Sequence, residues 1–93
     1  MNKPIITKID KGKEPTLKEM QKIVGGYIEI AYDDGKTQII CNEEGKMIGL
    51  PINQEATNIW NKLLGKFNSN PNYIHSDVLV GDVLILYGEA RIK

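Results

Sequence analysis

The sequence predicts an α+β fold: a small, mostly antiparallel sheet of four to six strands, with two helices packed on one face. Apolar residues recur at three- and four-residue steps over residues 17–24 and 54–67, which is typical of amphipathic helices. Elsewhere the apolar period is two, or the apolar run is continuous, which is typical of strands. A chain of 93 residues predicts a single domain, residues 1–93, with one modest core.

The first two elements have clear boundaries in the sequence. Pro4–Ile9 alternates apolar and polar residues and predicts a strand. Thr16 is expected to cap the first helix, because Glu19 follows three residues later at the spacing of a capping box. Gly25 comes directly after the last apolar position, where a left-handed residue usually ends a helix.

A β-hairpin is predicted after this helix. Asp34-Gly35 favours a two-residue type I′ turn, in which Asp33 pairs with Lys36 and Ile30 with Ile39. One face, expected to be buried, then contains Ile28, Ile30, Ile39 and Cys41. The other face is mixed and contains Tyr27, Glu29, Gln38, Ile40 and Asn42.

The second half of the chain predicts one more helix and the remaining strands. Lys46–Leu50 is a candidate short strand. Asn53 is a plausible cap for a helix over Gln54–Phe67, and the polar segment Asn68–Ser76 predicts a loop.

The run Val83–Tyr87 is apolar on both faces and predicts a central strand. Gly81-Asp82 predicts a bend before it, and Gly88–Lys93 a polar tail that is a candidate edge strand. With both helices on one face of the sheet, self-association is one way to cover the other face, so we expect a homo-oligomer.

Composition excludes several classes of protein. Lysine plus arginine and aspartate plus glutamate each number 12, so the formal net charge is zero, and duplex nucleic acid is not the expected partner. No apolar run is long enough to span a bilayer, and the first ten residues contain no apolar signal segment. A single cysteine fits a reducing compartment, so we expect a cytoplasmic protein without membrane association.

The sequence contains no group of residues typical of catalysis, so we expect a protein that is not an enzyme and that has no metal site and no cofactor. His75 lies in the predicted loop without a second histidine or cysteine at metal-binding spacing. A general base would need a partner, and Asp77 is the nearest carboxylate. Cys41 falls on an apolar strand face, where cysteine usually packs as a small apolar residue.

Two residues have both a structural and a ligand-binding interpretation. Glu29 is either an exposed strand carboxylate or an acceptor for the amino groups or hydroxyls of a small ligand. Trp60 lies at helical spacing among apolar residues, so it is either a core residue or a platform for stacking. Gly25-Gly26 follows a helix instead of preceding one, which favours a helix cap over a phosphate-binding loop.

Three blocks of the sequence together resemble a family of small uncharacterised domains found in phages and mobile elements. The blocks are LKEMQKIVGGYIEI at Leu17–Ile30, NEEGKMIGLPIN at Asn42–Asn53 and VGDVLIL at Val80–Leu86. The segment Lys62–Tyr73 departs from the usual pattern and resembles an insertion. The resemblance supplies no catalytic residue. It implies a context in which small proteins often act by binding, frequently against host defence.

These observations lead to a functional hypothesis with two alternatives. The first is a phage or mobile-element protein, in the host cytoplasm, that sequesters a small nucleotide-like signal in a pocket between subunits or between the hairpin and the second helix. The candidate contacts are Tyr27, Glu29, Asn42, Asn53 and Trp60. The alternative is a protein-directed inhibitor of a host defence complex. A small hydrolase using His75 with Asp77 or Glu29 is the third possibility.

Overall fold

The computed structural model describes residues 3–65 and 78–93, and these residues confirm the α+β class. The elements are β1 (Ile6–Ile9), α1 (Leu17–Val24), β2 (Ile28–Asp33), β3 (Thr37–Asn42), α2 (Gln54–Leu63), β4 (Val83–Tyr87) and a 3₁₀ turn at Gly88–Ala90. The sheet has the order β1-β4-β3-β2. β1 runs parallel to β4 and the other two pairs are antiparallel, so the sheet is mostly antiparallel, as predicted.

Helix α1 has the ends that the sequence predicts. The Thr16 hydroxyl accepts a hydrogen bond from the Glu19 backbone N–H at 3.1 Å, and the Glu19 carboxylate accepts one from the Thr16 N–H at 2.8 Å. The Thr16 N–H thereby lowers the pKa of Glu19. Gly25 adopts a left-handed conformation and donates its N–H to the Gln21 carbonyl, which ends the helix.

The predicted register of the hairpin is wrong by two residues at the turn, where residues 34–36 separate the two strands instead of Asp34-Gly35 alone. Asp33 pairs with Gln38 and not with Lys36. The Asp34 carboxylate accepts hydrogen bonds from the backbone N–H groups of Thr37 and Lys36, both at 2.8 Å, and these bonds lower its pKa. Side-chain bonds to the backbone thus stabilise the longer connection.

A β-bulge adds a second correction to the hairpin. The register shifts between Ile30 and Tyr32, so Ile30 pairs with Ile40 and Tyr32 pairs with Ile39. Ala31 is the extra residue, and both Ala31 and Tyr32 pack towards α2. β3 keeps the predicted alternation and β2 keeps it as far as Ile30, but the residues that share a face across the two strands are different.

The two helices lie on opposite faces of the sheet, which corrects the prediction that both pack on one face. The α1 core contains Met20, Val24, Ile40, Leu84, Leu86 and Ala90. The α2 core contains Ile39, Cys41, Ala56, Leu79, Val83 and Ile85. Successive residues of a strand point to opposite faces, so β4 sends alternate side chains into each core. The helices cover both faces, so the argument that self-association covers one of them no longer applies.

Two further elements differ from the prediction. Lys46–Leu50 is part of a run of turns and not a strand, because Leu50 donates its N–H to the Gly45 carbonyl and Ile48 to that of Glu44. Gly88–Ala90 forms a 3₁₀ turn instead of an edge strand.

The predicted end of α2 at Phe67 and the predicted loop at residues 68–76 lie outside the described ranges. Within those ranges α2 ends at Leu63. No helix in the described part of the chain is both long enough and apolar enough to cross a membrane.

Close contacts join the three sequence blocks at one end of the sheet. A Cβ on Gly45 would lie 2.8 Å from Val80 Cγ2 and 3.3 Å from the Asn42 carbonyl oxygen. The Asn42 side chain donates to the Val24 carbonyl at 3.2 Å and accepts from the Glu44 N–H at 2.8 Å. The turn after β3 is therefore held against both α1 and the segment before β4.

We expect Gly45→Ala to lower the free energy of unfolding by about 1–3 kcal/mol, because the added methyl group collides with buried, β-branched Val80. Urea denaturation measures the loss. The double variant Gly45→Ala with Val80→Ala should lose less free energy of unfolding than the two single variants lose together, since Val80→Ala removes the colliding atom. Strict additivity would contradict this account.

Candidate functional site

The sequence analysis names two places for a pocket, between subunits or between the hairpin and the second helix, and a cavity of about 300 Å³ lies at the second. We call it the hairpin cavity. Its lining residues are Glu29, Ile30, Ala31, Cys41, Asn42, Glu43, Lys46, Trp60, Val78, Leu79 and Val80. The cavity therefore has an apolar floor from the strands and residues 78–80, an aromatic wall from α2 and charged groups from the hairpin.

The bulge in β2 helps to shape this cavity. Glu29 pairs with Cys41, which places both residues on the face of the sheet that α2 covers. The bulge at Ala31 turns the end of β2. The Tyr32 hydroxyl donates its hydrogen to Asp34 Oδ2 at 2.9 Å and lies 3.4 Å from the Leu63 carbonyl oxygen at the end of α2. Contact between β2 and α2 is thus made beside Tyr32, and the space near Glu29 and Trp60 remains open.

Among the described residues, three charged side chains line the hairpin cavity, and all three are exposed. Glu29 comes from β2, whereas Glu43 and Lys46 come from the turn after β3. The Glu43 N–H donates to the Tyr27 carbonyl at 2.8 Å, which extends the β2–β3 ladder and fixes this turn beside β2. The lining thus combines two carboxylates and one ammonium group with the Trp60 ring.

Trp60 is the single tryptophan of the chain and is partly buried against the α2 core. Its indole nitrogen Nε1 is buried and has no hydrogen-bond partner among the described residues. Burial of an N–H donor without an acceptor costs about 1–3 kcal/mol. The fluorescent indole ring also gives the cavity wall a spectroscopic label.

Tyr27 does not join Glu29 and Trp60. Its side chain is 65% exposed and lines a separate cavity of about 260 Å³ beside the end of α1. We call this the α1 cavity, and its other lining residues are Gln21, Gly25, Gly26, Asn42, Glu44 and Ile48. Asn42 contributes to both cavities, but the hydrogen bonds to Val24 and Glu44 already occupy its amide group.

Asn53 is 2% exposed and lines neither the hairpin cavity nor the α1 cavity. Its Oδ1 caps α2 by accepting the Ala56 N–H at 3.0 Å, as predicted for a helix cap. Its Nδ2 donates to the carbonyls of Gly81, at 2.9 Å, and Ile5, at 3.1 Å. With its acceptor and both amide hydrogens engaged, Asn53 joins α2 to the sheet.

Glu43 and Lys46 are lining residues that the sequence analysis does not predict. They lie in a segment predicted as a turn and a short strand, and only the folded hairpin brings them beside Glu29. The charged run around Gly45, Glu43-Glu44-Gly45-Lys46, is the one signal that the sequence offers. His75 and Asp77 lie outside the described residues. Within the described ranges, no group of three His, Cys, Asp or Glu side chains could hold a metal ion.

Comparisons with known proteins give one match. A family model described as a domain of unknown function (DUF3846) matches residues 1–91. A search of curated proteins and a search of solved structures found no match. The family match extends over both helices and all four strands of the described sheet.

We expect Asn53→Ala to lower the free energy of unfolding by roughly 2–3 kcal/mol, because it removes a helix cap and takes the Asn53 donor from the buried Gly81 carbonyl. Asn53→Ser should recover part of this loss, since a serine hydroxyl can still cap the helix. Thermal unfolding followed by circular dichroism compares the variants. Equal stability of Asn53→Ala and the wild type would contradict a structural role for this residue.

Proposed function

The chain belongs to the DUF3846 family, a domain of unknown function, and we propose that it is a non-enzymatic protein that binds a small nucleotide-like molecule in the hairpin cavity. The make-up of this cavity carries the proposal: an aromatic ring, two carboxylates and an ammonium group surround an apolar floor. Binding sites for small molecules are typically concave and apolar, with a few polar groups that fix the orientation of the ligand.

Each group in the lining suits one part of such a ligand. The Trp60 ring offers a flat surface on which a base can stack. The carboxylates of Glu29 and Glu43 accept hydrogen bonds from exocyclic amino groups or ribose hydroxyls. Lys46 adds one positive charge, which offsets part of the negative charge of the two carboxylates. A volume of about 300 Å³ lies at the lower end of the range for ligand sites, which favours a small molecule.

We propose further that binding itself is the biological activity. The resemblance of the three sequence blocks to domains of phages and mobile elements favours a counter-defence role in the cytoplasm of a host cell. In that role the protein would sequester a nucleotide-like signal and so lower its free concentration. Sequestration requires affinity and abundance but no catalytic group.

The test uses the single tryptophan as a reporter. We expect a member of a panel of nucleosides, cyclic nucleotides and ADP-ribose derivatives to change the Trp60 fluorescence and to give a saturable calorimetric signal. Trp60→Leu should weaken that binding about tenfold or more, because base stacking on an aromatic ring is lost.

The matched control is Tyr27→Leu, which removes an exposed aromatic residue from the α1 cavity. It should bind like the wild type. Absence of binding across the panel would contradict the proposed function. Equal weakening by the two variants would remove the hairpin cavity from the proposal.

A second candidate function is inhibition of a host protein, and the exposed apolar residues near the α1 cavity favour it. Tyr27, Met47 and Ile48 are 65%, 81% and 60% exposed, and exposed apolar groups of this size often mark contact sites. If this function is correct, we expect a host protein to bind the wild type in stoichiometric amount. The same protein should not bind the Met47→Lys variant. A small molecule released from purified protein favours the first function instead.

A further inference from the structure

We infer that the hairpin cavity accepts the uncharged nucleoside part of its ligand and leaves phosphate groups outside, so that phosphates oppose binding. This inference rests on the proposed function and specifies the chemical class that the site selects. It follows from the charges that line the cavity and from the volume that they enclose.

The charge of the lining disfavours a phosphorylated group inside the cavity. Among the described lining residues, Glu29 and Glu43 are negative and Lys46 is positive, so the carboxylates outnumber the ammonium group. Like charges at close distance repel, and the repulsion is strongest at low salt. A nucleoside has no such penalty, because its amino groups and hydroxyls can donate hydrogen bonds to the same carboxylates.

The donors that proteins use for phosphate are scarce in this lining. Phosphate sites commonly combine arginine side chains with free backbone N–H groups at a helix N-terminus. The single arginine of the chain, Arg91, follows the 3₁₀ turn and does not line the cavity. The N-terminus of α2 is capped by Asn53, which also lies outside the lining.

The volume sets the second limit. A cavity of about 300 Å³ is at the small end of the range for ligand sites, so it suits one nucleoside-sized group. A dinucleotide or a nucleoside triphosphate would extend beyond the cavity. The position of the phosphates is then determined by repulsion from Glu29 and Glu43.

The experiment compares nucleosides of the common bases with their 5′-monophosphates and 5′-triphosphates by calorimetry, at low and at high salt. We expect at least one nucleoside to bind, and its triphosphate to bind about tenfold more weakly at low salt. The difference should shrink at high salt, because salt screens repulsion between exposed charges.

Glu43→Gln should change the two affinities in opposite directions. It removes a repulsive charge, so triphosphate binding strengthens several-fold, while nucleoside binding weakens with the loss of a charged acceptor. The matched control is Glu44→Gln, because Glu44 is the next residue and is also exposed but lines the α1 cavity. This control should leave both affinities unchanged.

Two results would overturn the inference, and they are distinguishable. If a triphosphate binds more tightly than its nucleoside, and Glu43→Gln does not strengthen it, the inference fails while the proposed function stands. If no compound in the series binds to the folded wild type, the proposed function fails and the inference fails with it. Near-identical glutamine side chains leave the fold intact, which thermal unfolding of each variant verifies.

Discussion

The strand β4 imposes the constraint on which the rest of the fold depends. Val83, Leu84, Ile85 and Leu86 are all fully buried, so both faces of the strand must be shielded from water. One helix therefore packs on each face, and the remaining strands complete two separate cores. The hairpin cavity is a product of this arrangement. Helix α2 covers the centre of the sheet and touches β2 through Tyr32, which leaves open space near Glu29.

The three sequence blocks Leu17–Ile30, Asn42–Asn53 and Val80–Leu86 meet at the same end of the molecule. The amide of Asn42 binds the end of α1, Gly45 lies against Val80, and Asn53 links α2 to Gly81. These contacts are structural, and they hold the turn after β3 beside the cavity. Buried residues of these blocks thus build the scaffold of the candidate site, while exposed side chains of the same blocks, Glu29, Glu43 and Lys46, supply its charges.

The sequence predicted the elements whose ends depend on local chemistry. Thr16, Glu19 and Gly25 defined α1, and Asn53 defined the start of α2, because caps involve neighbouring residues. The hairpin register was not predictable from Asp34-Gly35 alone, since carboxylate bonds to the backbone select a longer loop and Ala31 forms a bulge. The sides on which the helices pack depend on that register. Glu29 and Trp60 are predictable from their own positions in a strand and a helix, whereas Glu43 and Lys46 reach the cavity only through the fold of the turn after β3.

The turn that contains Gly45 separates two kinds of requirement within a few residues. Its backbone is fixed by buried contacts, but the side chains of Glu43 and Lys46 on either side of Gly45 are exposed and contribute to neither core. Replacement of Glu43 or Lys46 by other residues would change the charge of the cavity and lower the free energy of unfolding only slightly. The same architecture can therefore present a cavity of different charge.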